Sequence, residues 1–177
     1  MQSLKAMSSV SHSKVVTTSV LSRLQTAAIN GRFAKAAQRA FELEDDDPGL
    51  QQLSDALAAA DWHVLPAIEL LDGQTMAGLR GAYTASDPHG QQSIYLNAAW
   101  LQRADANAIE SVLLEEIGHA LDHRLQQGQD SPGDEGAVFA AYLHNRSISE
   151  STFQENDHQF LDINGQKIAI EAATQTP

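Results

Sequence analysis

The chain has no cysteine, few aromatic residues and far fewer basic than acidic side chains, and each shortage removes a class of function. Without cysteine there is neither a disulfide nor a thiolate metal site, so any bound metal must rest on His, Asp and Glu. Aromatics make up only 6% of residues although 42% are hydrophobic, so the core is built mainly from Ala, Leu and Ile, which predicts a largely helical protein. Eleven Lys and Arg against 23 Asp and Glu leave a formal charge of -12. That balance argues against nucleic acid or an anionic membrane surface as partner, because both need clustered cations, and points to cations or basic segments instead. Long apolar runs are missing too. None approaches membrane-span length, and near the start Val15–Val16 and Val20–Leu21 are separated by Thr and Ser, so an ordinary N-terminal signal is not expected. The expectation is a cytoplasmic protein, or one exported by a non-classical route.

The length of 177 residues predicts one domain. Residues 1–13, polar and Ser-rich, read as disordered; 14–171 read as the folded unit, with a helical part over 14–60 and a core over 61–171; 172–177 read as a loose tail. Val16, Val20, Leu24 and Ala27 form one helical stripe and Phe33, Ala36, Ala37, Ala40 and Phe41 another, with a break near Asn30-Gly31. The acidic run Glu44–Asp47 before Pro48-Gly49 reads as a loop, and Leu50, Leu53 and Leu57 mark a short helix. From Trp62 the pattern changes to strands. Residues 63–71 are apolar, with Pro66 pointing to an edge strand or a bulge, and Gly81–Tyr83 and Ser93–Leu96 flank a turn at Ser86–Gly90. Near the C-terminus, Asn164-Gly165 is a type I′ turn signal whose register puts Leu161, Ile163, Ile168 and Ile170 on one face. The fold class expected is α+β: N-terminal helices, a small, mainly antiparallel sheet, a central helix, a second helix and a C-terminal hairpin.

The central helix, 107–127, carries the chemistry. Asn107 with Glu110 reads as a capping box and Gly128 as a stop; Ile109, Leu113, Leu114, Ile117, Leu121 and Leu125 form a buried stripe, with Val112, Glu115, Glu116, His119 and His123 on the other side. Glu115 and His119 are an i,i+4 pair, so a carboxylate oxygen and an imidazole nitrogen can converge on one ion. Glu116 follows the first of these, where the H-E-x-x-H pattern carries its general base. Gly118 inside a helix costs roughly 1 kcal/mol relative to Ala, which implies close approach of another backbone.

The run Glu-Glu-Ile-Gly-His-Ala-Leu-Asp, 115–122, resembles the His-Glu-Leu-Gly-His-Ala-Leu-Asp helix of gluzincin metallopeptidases, particularly the anthrax-lethal-factor-like group, with Glu115 in place of the first His. The resemblance implies a zincin-like fold and a metal-dependent peptidase acting on a peptide or protein, the strand before the helix lining the cleft. It implies Glu116 as general base and a third ligand from the next helix, matched to Glu135 with Asp134 as competitor. Helical phase then offers Tyr142 or His144 as stabiliser of the oxyanion. The cofactor implied is a divalent metal, zinc first, while Glu115 makes the site harder and favours manganese, iron or calcium relative to zinc. The segment 94–139, with Asp-Ser-Pro-Gly-Asp-Glu-Gly after the motif, is also similar to stretches of large secreted bacterial calcium-binding and adhesin-like proteins. Glu115 in the first motif place favours the alternative function, a non-catalytic module with a degenerate peptidase fold that binds metal or another protein.

Other readings use the same residues differently. His119-Ala120-Leu121-Asp122-His123 resembles an inverted zincin motif with His123 as ligand and Asp122 as base. Glu116-x-x-His119 with Glu155-x-x-His158 would give the two Glu-x-x-His pairs of a di-iron bundle, which also needs a Glu from each of two further helices. Asp130, Asp134 and Glu135 are candidates for a calcium loop, although the spacing matches no EF-hand.

Overall fold

Apolar periodicity sets the helices, and the glycines and caps set where they stop. The computed structural model describes residues 2–128, 133–149, 152 and 157–173, with side chains from Val16 onward. Helix α1 (Gln2–Ile29) buries Val16, Val20, Leu24 and Ala27 and ends before Gly31, whose positive φ of 76° breaks the chain direction. It begins inside the stretch expected to be disordered. Residues 2–29 hold neither Gly nor Pro, so a helix already nucleated by the apolar stripe propagates through them. Helix α2 (Arg32–Ala40) buries Phe33, Ala36, Ala37 and Ala40. Helix α3 (Pro48–Ala58) starts on Asp47, whose carboxylate accepts the Leu50 N–H at 2.7 Å.

Five strands form one sheet in the order β1-β3-β2-β5-β4. Strand β1 (Ala67–Leu71) lies at an edge, parallel to β3 (Ser93–Asn97), as the edge reading of Pro66 expects; Trp62–Val64 before it is a 3-10 turn. Strand β2 (Gly81–Thr84) runs antiparallel to β3. The C-terminal strands β4 (His158–Ile163) and β5 (Gln166–Glu171) form the expected hairpin, with Asn164 and Gly165 at positive φ in the turn. The sheet is therefore mainly antiparallel. Hairpin and sheet meet through a single paired position, Tyr83 opposite Glu171.

Alternation divides the core in two. Tyr83, Ile94 and Leu96 join the helices in the main cluster, whereas Ala82 and Tyr95 on the opposite face close a smaller one with Met76, Leu161, Ile163, Ile168 and Ile170. A short helix α4 (Ala98–Leu101) then leads to α5 (Ala106–Leu125). Here the capping reading needs correction. Asp105, not Asn107, caps α5, accepting the Ala108 N–H at 2.8 Å, and Glu110 is buried in an ion pair with Arg23 instead of reaching back to the cap. The helix is also buried on more than its apolar stripe, since Val112, Glu116 and His119 lie inside as well.

Helix α6 (Glu135–His144) packs on α5 where two glycines meet. A Cβ built on Gly118 would stand 2.7 Å from the Gly136 Cα and 3.1 Å from its carbonyl oxygen, so the backbone contact that Gly118 implied exists. The turn at 129–132 with Asp130, the residue Glu155 and the tail 174–177 lie outside the described residues. Among the described residues no helix is long and apolar enough to cross a membrane.

Gly118→Ala is expected to destabilise the fold by about 1–2 kcal/mol, because overpacking of about 1–3 kcal/mol exceeds the gain in helix propensity. Urea denaturation measures it; a variant as stable as the parent would mean that the two helices part at no cost.

Candidate metal centre

The Gly118–Gly136 contact brings the first turn of α6 alongside His119. Glu115 and His119 project from α5 one turn apart, and Asp134, the N-cap of α6, accepts the Ala137 N–H at 2.8 Å with the same Oδ1 that stands 3.8 Å from His119 Nε2. The hairpin contributes two more carboxylates from its open end. Asp157 precedes β4, Glu171 ends β5, and His158 pairs with Glu171 between them.

His119 is fully buried and both of its nitrogens face carboxylates. Nδ1 lies 2.7 Å from Glu135 Oε1 and 2.9 Å from Glu171 Oε2; Nε2 lies 3.1 Å from Asp157 Oδ2 without the alignment of a hydrogen bond. With the proton on Nδ1, the ring donates to Glu135, and Nε2 presents a lone pair toward Asp157 and Asp134. That arrangement, one nitrogen tied to a carboxylate and the other left for an ion, is the usual setting of a metal-binding histidine. Two groups of side chains place their ligand atoms close enough to share an ion: Glu115, His119 and Asp134, and His119, Asp157 and Glu171. Gly136 lets the α6 backbone lie close against this nitrogen, since a Cβ there would fall 2.5 Å from Nε2 and 2.6 Å from the Glu115 carbonyl oxygen. The 3.1 Å between Nε2 and Asp157 Oδ2 matches adjacent ligands of an octahedral ion with bonds of about 2.2 Å, which stand about 3.1 Å apart. The residues fit a divalent cation.

Glu116 sits on the other flank of α5. It is fully buried, its Oε1 accepts the Ala173 N–H at 3.1 Å, and Oε2 has no hydrogen-bond partner among the described residues. Gly81 makes room for it, because a Cβ there would meet Oε1 at 2.5 Å.

So many carboxylates in one buried volume repel each other's charge. Burial, helped by Asp134, pushes Glu115 up to about 8; burial pushes Asp157 up to about 6 and Glu116 well above the usual carboxylate range. Glu135 is raised by burial against the opposing pull of His119. For His119, burial acts to lower the pKa, and the hydrogen bonds and charges of Glu135 and Glu171 outweigh it, so the ring is held well above its ordinary value. Glu171 goes the other way, because burial is outweighed by its hydrogen bond and attraction to His119.

The structure thus sets Glu115 and Glu135 both near His119 but divides their parts, and of these two only Glu115 falls in a group that could share an ion with it. Glu135 is on Nδ1, where it orients the ring, and its competitor Asp134 is on the Nε2 side. Tyr142 is elsewhere: it packs toward α2, with the Arg39 guanidinium 5.5 Å from its ring centre, and no contact among the described residues joins it to His119. Its ring has been drawn to that cation and the main core. The phenol near the cluster is Tyr83, fully buried, with its hydroxyl unpartnered among the described residues and its pKa raised by burial and by Glu171. His123 is only partly buried and lies 6.1 Å from the Tyr83 ring, centre to centre. His144 is near Glu110 instead, 4.0 Å from it. Asp157, Glu171 and Tyr83 were not found as site residues from the sequence. Strand alternation does set Glu171 on the face opposite Ile168 and Ile170, but nothing local says which helix it meets.

No family model, curated protein or solved structure matches the chain.

Metal-free protein is expected to lose stability as pH rises from about 5 to 8. Glu115, Asp157, Glu116 and His119 all bind protons more tightly folded than unfolded, so raising the pH takes protons from the folded state at a cost the unfolded chain does not bear. Glu171 is shifted down and acts only at more acid pH; His144, lowered by burial, opposes the trend at the acid end of this range but is one group against four. Thermal melts in chelator across this range test the sign, and a melting temperature rising toward pH 8 contradicts it.

Proposed function

We propose that this chain is a metal-binding domain of zincin-like form, with a divalent ion at His119 Nε2 between Glu115, Asp134 and Asp157. The observation that carries the reading is the fully buried Nε2, without a hydrogen-bond partner among the described residues and ringed by carboxylates, while Nδ1 is held by Glu135. One imidazole and several carboxylates form a harder donor set than the zincin His pair, which favours manganese, iron or calcium over zinc. Structural sites are closed and catalytic ones keep an open position. His119 and Glu116 are fully buried, and the end of the hairpin, through Glu171 and Ala173, lies against both. These observations favour an ion that ties helix, cap and hairpin together, in a domain that does not cleave peptides.

A second reading, a metal-dependent peptidase, is favoured by Glu116. Its Oε2 is buried and unpaired among the described residues one position after Glu115, and burial leaves it a strong base once ionised. On this reading the ion supplies Lewis acidity, Glu116 takes a proton from the attacking water, and the Tyr83 hydroxyl donates to the oxyanion.

Elemental analysis of protein purified without chelator should find about one equivalent of a divalent metal, lost in His119→Ala. No metal in the parent after exposure to manganese, calcium and zinc in turn would sink the reading. A peptide-library screen separates the two forms of it: the structural reading expects no cleavage by the loaded parent, and the peptidase reading expects cleavage that falls by at least 100-fold in Glu116→Gln.

A further inference from the structure

The hairpin enters the site with its charges only at one end, and its docking depends on two unlike interactions. One is apolar. Leu161, Ile163, Ile168 and Ile170 cover Met76 and Tyr95 in a cluster separate from the main core. The other is electrostatic, and its sign depends on the ion. Without a cation, Asp157 and Glu171 are brought up to a buried volume that already holds Glu115, Glu116, Asp134 and Glu135; His119 is the positive group in contact with them, and Arg80, His123 and His158 act on Glu115 or Glu171 from further off. With a cation on Nε2, the same Asp157 oxygen, buried and unpartnered among the described residues, is drawn in as a ligand. Backbone ties between the hairpin segment and the body are few among the described residues. They comprise the Tyr83–Glu171 pairing, the Thr84 hydroxyl donating to the Ala169 carbonyl at 2.9 Å, the Arg80 N–H to the Ala173 carbonyl at 3.3 Å, and the Ala173 N–H to Glu116.

We infer that the ion is a latch for the C-terminal hairpin: Asp157 closes onto it, and loss of the ion loosens residues 157–173 and uncovers Glu116. The inference rests on the metal-binding reading above and adds its regulation. The ion and the hairpin are then linked ligands of the same site, and linkage is reciprocal. Whatever weakens the hairpin's docking must weaken the ion by the same factor, even when no ligand is touched. Ile168 supplies that lever. It is buried in the small cluster, away from the carboxylates, and Ile168→Ala removes apolar contact without altering a donor atom. Release has a second consequence. The Ala173 N–H is the one hydrogen bond that Glu116 accepts among the described residues, so an open hairpin leaves that carboxylate to solvent.

The test is hydrogen exchange of the full chain with manganese, and again with calcium, as the probe, alongside native mass spectrometry to count bound ions. Loading is expected to slow exchange of the 166–173 amides at least tenfold. Asp157→Asn is expected to bind metal at least tenfold more weakly and to lose the protection. Ile168→Ala, with every ligand in place, is expected to bind metal several-fold more weakly. Metal bound at one equivalent with hairpin exchange unchanged, or affinity unaltered in both variants, overturns the latch and leaves the metal site standing. No metal bound by the parent overturns the site and the latch together.

Discussion

A buried imidazole surrounded by carboxylates is the constraint that the rest of this structure serves. Placing ionised groups out of water is costly unless they are paired, and here one histidine stands in contact with acids from three parts of the chain, with Arg80 helping from further off. The arrangement is tolerable only if some of the acids keep their protons or a cation sits among them. The raised values of Glu115, Asp157 and Glu116 are the first solution and the orphan Nε2 is the opening for the second. Proton and metal compete for the same atoms, so the resting state of the cluster is a matter of pH and ion supply.

The backbone is shaped to make that crowding possible. Two glycines facing each other let α5 and α6 touch main chain to main chain, and the same Gly136 lets the α6 backbone lie against Nε2. Asp134 ends up near the ring because it is also the cap of α6, fixed by the Ala137 N–H, so one residue begins the helix and faces the site. Gly81 does for Glu116 what Gly136 does for His119. Three glycines therefore account for where three functional side chains can stand, and an alanine at any of them would have to displace a polar atom or a backbone.

What the sequence revealed follows from the range over which each signal acts. Glu115 and His119 were legible because a helix brings residues four apart together whatever the tertiary fold. The Asn164-Gly165 turn fixed the hairpin register for the same local reason, and Gly118 announced a neighbour because an interior helical glycine needs an explanation. Asp134 and Glu135 were both candidates, but the division of labour between them turns on which residue caps α6, a matter of one position that spacing cannot resolve. Asp157 and Glu171 had no local signature, since their role arises only when a hairpin late in the chain docks on a helix far earlier. Tyr142 failed and Tyr83 took its place near the cluster for a related reason: helical phase told how far along α6 a side chain lies but not that Arg39 would claim it.

The substitution of Glu for the first motif histidine then reads as part of a consistent shift. A His pair at i,i+4 leaves an ion neutral ligands and therefore a full positive charge with which to polarise a carbonyl or acidify water. In the proposed site, Glu115, Asp134 and Asp157 would cancel that charge instead, lowering the Lewis acidity available for hydrolysis and raising the affinity for hard cations that serve as ties. The covering of Glu116 points the same way, because a general base must meet water and this one meets the Ala173 N–H. Both features weaken chemistry and strengthen attachment. What would reverse that balance is motion of the hairpin, since the strand that hides Glu116 is also the one whose end carries Glu171 to the ring and whose partner strand carries Asp157. On the two readings proposed, catalysis and latching are alternatives for the same few side chains, and the position of residues 157–173 is what would decide between them.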